Sequence, residues 1–74
     1  MNQQTRIEML NSYLAEDPSD SFSRYALALE LIKLSNLEEA MKHLIFIFQN
    51  DPSYLPNYYH YGKLLEQKKR TYIK

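Results

Sequence analysis

The residues of this chain best suited to chemistry are two histidines and one carboxylate. Glu39 and His43 stand four residues apart, so on a helix they share a face and could supply two metal ligands, with His60 as a third. The surrounding pattern places Glu39 and His43 on the outer face of their helix, where a solvated pair is expected. His60 lies between Tyr59 and Tyr61 and is expected to be a partly exposed polar residue rather than a base. We therefore predict no metal and no other cofactor.

The composition also argues against catalysis. The 74 residues include no cysteine and a single glycine, which excludes thiolate chemistry, disulfides and a glycine-rich phosphate loop. No grouping of Ser, Asp and His is accompanied by a strained turn or an oxyanion element. We predict that the chain is not an enzyme and assign no catalytic residue.

Composition and hydropathy also bear on location. No segment has the apolar length of a membrane helix, and the N-terminal residues lack a basic region followed by a continuous apolar core. Together with the absence of cysteine, this favours a cytoplasmic protein without a membrane partner.

A repeat organises the chain, because Asp17-Pro18 recurs as Asp51-Pro52, 34 residues later. The segment between the two pairs has the pattern of a helix, a short turn and a second helix. Amphipathic periodicity extends this pattern to an all-α fold of four helices. The predicted helices span residues 3–16, 21–35, 37–50 and 55–69.

The second predicted helix is apolar on two opposed faces. One face carries Leu27, Leu31 and Leu34, and the other carries Phe22, Tyr25, Leu29 and Ile32. A helix of this kind is either sandwiched between neighbours or presents one face to a partner. The stripe that begins at Phe22 is therefore a candidate binding surface, and the alternative is that the first helix covers it and makes it core.

The 34-residue unit also carries a family resemblance. Its key positions are Arg24, Leu27, Ala28, Leu31, Ala40, Leu44 and Pro52, followed in the next unit by Tyr58, Tyr61, Gly62 and Leu65. They resemble the tetratricopeptide repeat (TPR) pattern W-x2-L-G-x2-Y…A-x3-F…P, with Arg24 in place of the aromatic residue and Leu31 in place of the tyrosine. In its local sequence the chain is similar to short bacterial TPR proteins. A generic helical bundle is the alternative.

The resemblance implies a right-handed stack of antiparallel helices in a single TPR-like domain. Residues 1–16 would form a degenerate half repeat, 21–54 a full repeat and 55–74 an incomplete second repeat. Ala28, Ala40 and Gly62 would lie where paired helices cross closely. Apolar surface that a further helix would cover, at Ile45, Phe46 and Leu64, then becomes a candidate self-association surface, and a homodimer becomes a candidate assembly.

The resemblance also implies a function, since the first helices of TPR units line a concave groove that takes an extended peptide or a partner helix. Here that groove would carry Phe22, Tyr25, Leu29, Ile32, Tyr59, Lys63 and Glu66. Leu29 stands where an asparagine would be needed to clamp a C-terminal carboxylate, which disfavours a chaperone-tail receptor. We predict a protein interaction scaffold or adaptor with a protein or peptide partner.

Nucleic-acid binding is the second class of function to consider. Seven tyrosines and the basic run from Lys63 to Lys74 could stack bases and hold phosphates. However, nine Lys and Arg balance nine Asp and Glu, so the overall positive charge of many nucleic-acid binders is missing. An accessory nucleic-acid-binding protein therefore stays the alternative.

Overall fold

The structure, a computed structural model, describes the backbone of residues 2–73 and the side chains of residues 2–67 and Lys69. Its helices are α1 (Gln3–Glu16), α2 (Ser21–Lys33), α3 (Leu37–Asn50) and α4 (Pro56–Ile73), and residues 2–73 contain no strand. The predicted all-α architecture is confirmed. Three helix ends differ from the prediction: α2 stops earlier, and α4 begins one residue later and continues further.

The helices pack as a consecutive stack. Each helix contacts the next, α1 on α2, α2 on α3 and α3 on α4, and the contact between α2 and α3 is the most extensive. The resulting molecule measures 40 × 30 × 15 Å, so it is thin in one direction. This thin layer leaves α2 accessible along the edge where it meets α1.

The two Asp-Pro pairs of the sequence occupy the same structural position, at the ends of α1 and α3. Helices α1 and α3 are both 14 residues long, and each ends at an Asp-Pro pair, with Asp17 and Asp51 as the C-caps. The hydroxyl of Ser19 donates to Asp17 Oδ1 at 2.6 Å, and that of Ser53 donates to Asp51 Oδ1 at 3.1 Å. The same turn thus follows α1 and α3.

The early end of α2 has a local cause at Ser35. This residue has a φ of 61°, in the left-handed region. Its N–H donates to Ile32 O at 2.9 Å, and the N–H of Asn36 donates to Leu31 O at 2.9 Å, which together form a Schellman motif. The chain reverses here because a left-handed residue cannot continue a right-handed helix.

The core lies where α2, α3 and α4 meet. Its buried residues are Ala28, Ala40, Met41, Leu44 and Leu64. Ala28 and Ala40 are fully buried, as expected for a close crossing of α2 and α3. The amide Nδ2 of Asn57 on α4 donates to Leu44 O at 3.0 Å and ties α4 to α3.

Two sequence predictions about α4 are corrected. Leu64 is 1% exposed, because it packs into the core cluster, so it cannot belong to an exposed self-association surface. Gly62 does not lie at a close crossing, since a Cβ placed on it would meet no described atom within 4 Å. The open side of α4 is therefore at Gly62 and not at Leu64.

Candidate functional site

A groove between α1 and α2 is the candidate site. It encloses about 340 Å³. Helix α1 contributes the apolar side chains of Met9, Leu10 and Tyr13. They widen the apolar face of α1 beyond the part that packs on α2. The full lining consists of Arg6, Met9, Leu10, Tyr13, Phe22, Ala26, Leu29, Glu30 and Lys33. We call this surface the α1–α2 groove.

The charges in the α1–α2 groove neutralise one another. Glu30 is buried, and its carboxylate accepts hydrogen bonds from Arg6 Nε at 2.9 Å and from Lys33 Nζ at 2.9 Å. The bond from Lys33, followed by that from Arg6, lowers the pKa of Glu30 below its ordinary value and keeps the carboxylate ionised. A ligand therefore needs no counter-charge for Glu30, and the rest of the groove offers apolar contact.

The predicted binding stripe of α2 is divided between two environments. Phe22 and Leu29 line the α1–α2 groove, and Phe22 is 67% exposed. Tyr25 and Ile32 instead pack against the core cluster. Burial, followed by the neighbouring Tyr54, raises the pKa of Tyr25, and its ring packs edge-on against Tyr54 at 5.4 Å. Half of the stripe thus faces the groove, and the other half is partly buried against the core cluster.

The predicted groove residues of α4 lie apart from the α1–α2 groove. Tyr59, Lys63 and Glu66 are exposed, and Lys63 Nζ lies 5.9 Å from the centre of the Tyr59 ring. They connect to α2 through His60, whose ring contacts Tyr59 at 5.1 Å and whose Nδ1 is 2.6 Å from Tyr25 Oη. This aromatic strip therefore meets α2 at Tyr25, which is outside the lining of the α1–α2 groove.

The α1 side of the groove was not predicted from the sequence. It is formed by Arg6, Met9, Leu10 and Tyr13. The available signal was the width of the α1 stripe, since Met9 and Tyr13 exceed what one helix contact can bury.

Comparison with known proteins assigns the family. A family model described as "Tetratricopeptide repeat" matches residues 1–67. The chain belongs to the tetratricopeptide repeat family. The predicted resemblance is therefore confirmed, and the family as a whole indicates a scaffold for protein–protein interaction. No curated protein and no solved structure matches the chain.

The remaining predicted self-association residues of this TPR chain do not form one surface. Ile45 is 37% exposed on α3. Phe46 is half-buried, because the guanidinium of Arg24 lies 3.7 Å from the centre of its ring. Leu64 is buried on α4, as described above.

His43 is placed differently from the prediction. It is half-buried between α3 and α2, where its Nδ1 accepts a hydrogen bond from Arg24 Nη1 at 3.1 Å, and Glu39 pairs with Lys42 instead at 3.2 Å. Burial, followed by the charge of Arg24, lowers the pKa of His43. The predicted solvated pair of Glu39 and His43 is wrong, because His43 faces the neighbouring helix. The part of the chain that the structure describes holds no group of three His, Cys, Asp or Glu arranged for a metal ion.

The basic run of the alternative function lies partly outside the described residues. Lys63 and Lys69 are exposed, whereas the side chains of Lys68 and Arg70, and Lys74 as a whole, lie outside the described part. The comparisons give the nucleic-acid alternative no support. None of the helices within residues 2–73 has the length and apolar character of a membrane span.

Proposed function

We propose that this TPR chain is a non-enzymatic interaction module, a scaffold or adaptor, that binds an apolar helical segment of a partner protein in the α1–α2 groove. The observation that carries the proposal is the groove itself, which is concave, mainly apolar and lined from two helices. Laying the apolar face of a helix into such a groove is a recurring mode of protein recognition.

The chemistry of the lining supports an apolar occupant. Phe22 and Tyr13 are exposed aromatic side chains at the groove, and aromatic anchors commonly dominate binding energy. The only carboxylate in the lining is Glu30, and it is already paired with Arg6 and Lys33. A partner segment thus gains by burying apolar side chains without having to desolvate an unpaired charge.

The exposed residues of α4 extend the proposed surface. Tyr59, Lys63 and Glu66 are exposed on α4. Tyr59 contacts His60, whose Nδ1 lies 2.6 Å from Tyr25 Oη on α2. We assign them to a partner segment that continues out of the groove and across α2. The α1–α2 groove would supply the apolar anchor, and the α4 strip would supply peripheral contacts.

Selection from a displayed library of helical peptides against the immobilised chain tests the proposal. We expect enrichment of peptides with apolar residues at i, i+3, i+4 and i+7, which bind through one apolar face. Phe22→Glu should weaken their binding by about tenfold or more, equivalent to about 1.4 kcal/mol. The matched control is Ile45→Glu, an apolar-to-acidic change on α3, outside the groove, that should leave binding unchanged. Equal affinity for wild type and Phe22→Glu would show that the groove is not the site.

A further inference from the structure

One face of α4 is left uncovered in the described chain. It carries Tyr58, Gly62 and Leu65, of which Tyr58 is 48% and Leu65 46% exposed. Tyr61 borders this face and packs against Phe48 of α3 and the core cluster. These four α4 residues stand 34 positions after Arg24, Leu27, Ala28 and Leu31 of α2. The corresponding face of α2 packs against α3, with Arg24 on His43 and Phe46, and Ala28 in the core. The face that α3 covers on α2 is therefore left open on α4.

Two matching hydrogen bonds indicate that α4 corresponds to α2 in the next repeat. Arg24 Nη2 donates to Pro18 O at 2.9 Å, and the hydroxyl of Tyr58 donates to Pro52 O at 2.7 Å. The two bonds are equivalent, because Tyr58 and Pro52 stand 34 positions after Arg24 and Pro18. Together with the equal lengths and turns of α1 and α3, they make α4 equivalent to α2 and α1 equivalent to α3.

We propose that a second copy of this chain covers the open face, with α4 of one molecule lying in the α1–α2 groove of the next. This inference rests on the proposed function, because it requires that the groove accepts a helix. Helix α1 of the second copy then stands against α4 as α3 stands against α2. The two contacting surfaces differ, so the association is heterologous and head-to-tail.

The residues that would meet across this contact differ in type from their equivalents at the α2–α3 contact, and the two members of the pair differ in a matched way. Within the chain, Arg24 and His43 form a polar pair at 3.1 Å. Their equivalents across the contact are Tyr58 and Met9 of the second copy, and Met9 is 36% exposed. Both members of the pair are thus replaced by side chains that gain from mutual burial.

A second pair changes in size in the same coordinated way. Ala28 and Ala40 are both fully buried where α2 and α3 meet. Their equivalents are Gly62 and Arg6 of the second copy. The open space around Gly62 gives room for the longer side chain of Arg6, whose guanidinium is held by Glu30. A large residue on one surface is therefore matched by the smallest residue on the other.

Two variants each block one of the two surfaces. Phe22→Glu places a charge at the groove and leaves the α4 face intact, whereas Gly62→Arg fills the α4 face and leaves the groove intact. Both positions are exposed, and circular dichroism checks that each variant keeps its helices. Ile45→Glu is the matched control, on a residue outside both surfaces.

Sedimentation velocity of the full chain over a concentration series gives the readout. We expect the mass of the wild type and of Ile45→Glu to rise with concentration beyond that of a dimer. Phe22→Glu and Gly62→Arg should each weaken association by about tenfold or more, equivalent to about 1.4 kcal/mol. An equimolar mixture of the two should form a one-to-one dimer, because each variant supplies the surface that the other lacks.

Several outcomes would overturn the inference. They are a wild-type chain that stays monomeric at millimolar concentration, a Phe22→Glu variant that still associates through α4, and a mixture that gives no dimer. Loss of association in Ile45→Glu would place the contact on α3 instead. If peptides bind the groove while the chain stays monomeric, the proposed function stands without this inference. If Phe22→Glu changes neither peptide binding nor association, both fail.

Discussion

At the scale of single residues, Glu30 shows how a charge can lie at an apolar site. Its carboxylate is largely shielded from solvent in the lining of the α1–α2 groove, where an unpaired charge would carry a desolvation cost. Hydrogen bonds from Lys33 and Arg6 offset that cost. Since Arg6 belongs to α1 and Glu30 to α2, the pair also joins the two helices that form the groove.

This pairing predicts a pH dependence of stability. The pKa of Glu30 is lowered from its ordinary value of 4.5, chiefly by the bond from Lys33 and then by that from Arg6. The stabilisation is therefore fully present above about pH 4.5 and is lost as the pH falls through the lower pKa of the folded state. In urea unfolding at several pH values, Glu30→Gln should flatten the decline of the unfolding free energy below this pH.

The control for this prediction is Glu8→Gln, a change on the exposed part of α1. It should follow the wild-type pH profile. The Asp20 carboxylate, whose pKa is lowered mainly by its hydrogen bond with Ser23, titrates alike in all three proteins. A Glu30→Gln profile parallel to that of the wild type would mean that the ion pairs do not contribute to stability.

At the scale of the helices, the crossing of α2 and α3 is set by small residues. Ala40 is fully buried, so Ala40→Leu must push the two helices apart or distort their rotamers. We expect the free energy of unfolding to fall by about 1–3 kcal/mol. The Tm should fall by roughly 4–8 °C for each kcal/mol lost. Thermal denaturation followed by circular dichroism measures this effect. An unchanged Tm would contradict the repeat alignment that places Ala40 at the crossing.

Gly62→Ala is the matched substitution on α4. An added methyl group would meet no described atom within 4 Å, so the helix loses no contact and gains the better propensity of alanine. The same thermal experiment, at a concentration where the chain is monomeric, should show that the free energy of unfolding rises by about 0.5–1 kcal/mol. Opposite signs for Ala40→Leu and Gly62→Ala would show that one helix face is packed and the equivalent face is open.

The helices were predictable from sequence to the extent that local signals define them. The bounds of α1 and α3 were predicted correctly, because an Asp-Pro pair ends each of them. The end of α2 was missed, since serine gives no signal for the left-handed conformation that glycine normally marks.

Side-chain environments depended on how the helices are arranged. His43 was expected in solvent, but periodicity within α3 does not reveal that Arg24 of α2 reaches over it. The burial of Leu64 and the α1 side of the groove were not predicted for the same reason, because both depend on contacts between different helices.

At the scale of the whole molecule, the consecutive stack distributes stability unevenly. In repeat proteins each unit contacts only its neighbours, so stability is approximately a sum of local terms. The core cluster joins α2, α3 and α4, whereas Leu14 is the one buried residue that α1 supplies among its described side chains. We infer that α1 opens at a lower free energy than α2 and α3.

Native-state hydrogen exchange can test this order. Amides of α2 and α3 should exchange most slowly, and those of α1 should exchange through a local opening. Leu14→Ala removes the main anchor of α1 and should lower its protection by about 2 kcal/mol, or roughly 30-fold. Protection in α3 should remain, because its contacts with α2 and α4 do not include Leu14. An equal loss of protection in all helices would instead mean that the chain opens as one cooperative unit, and the α1–α2 groove could then open only by global unfolding.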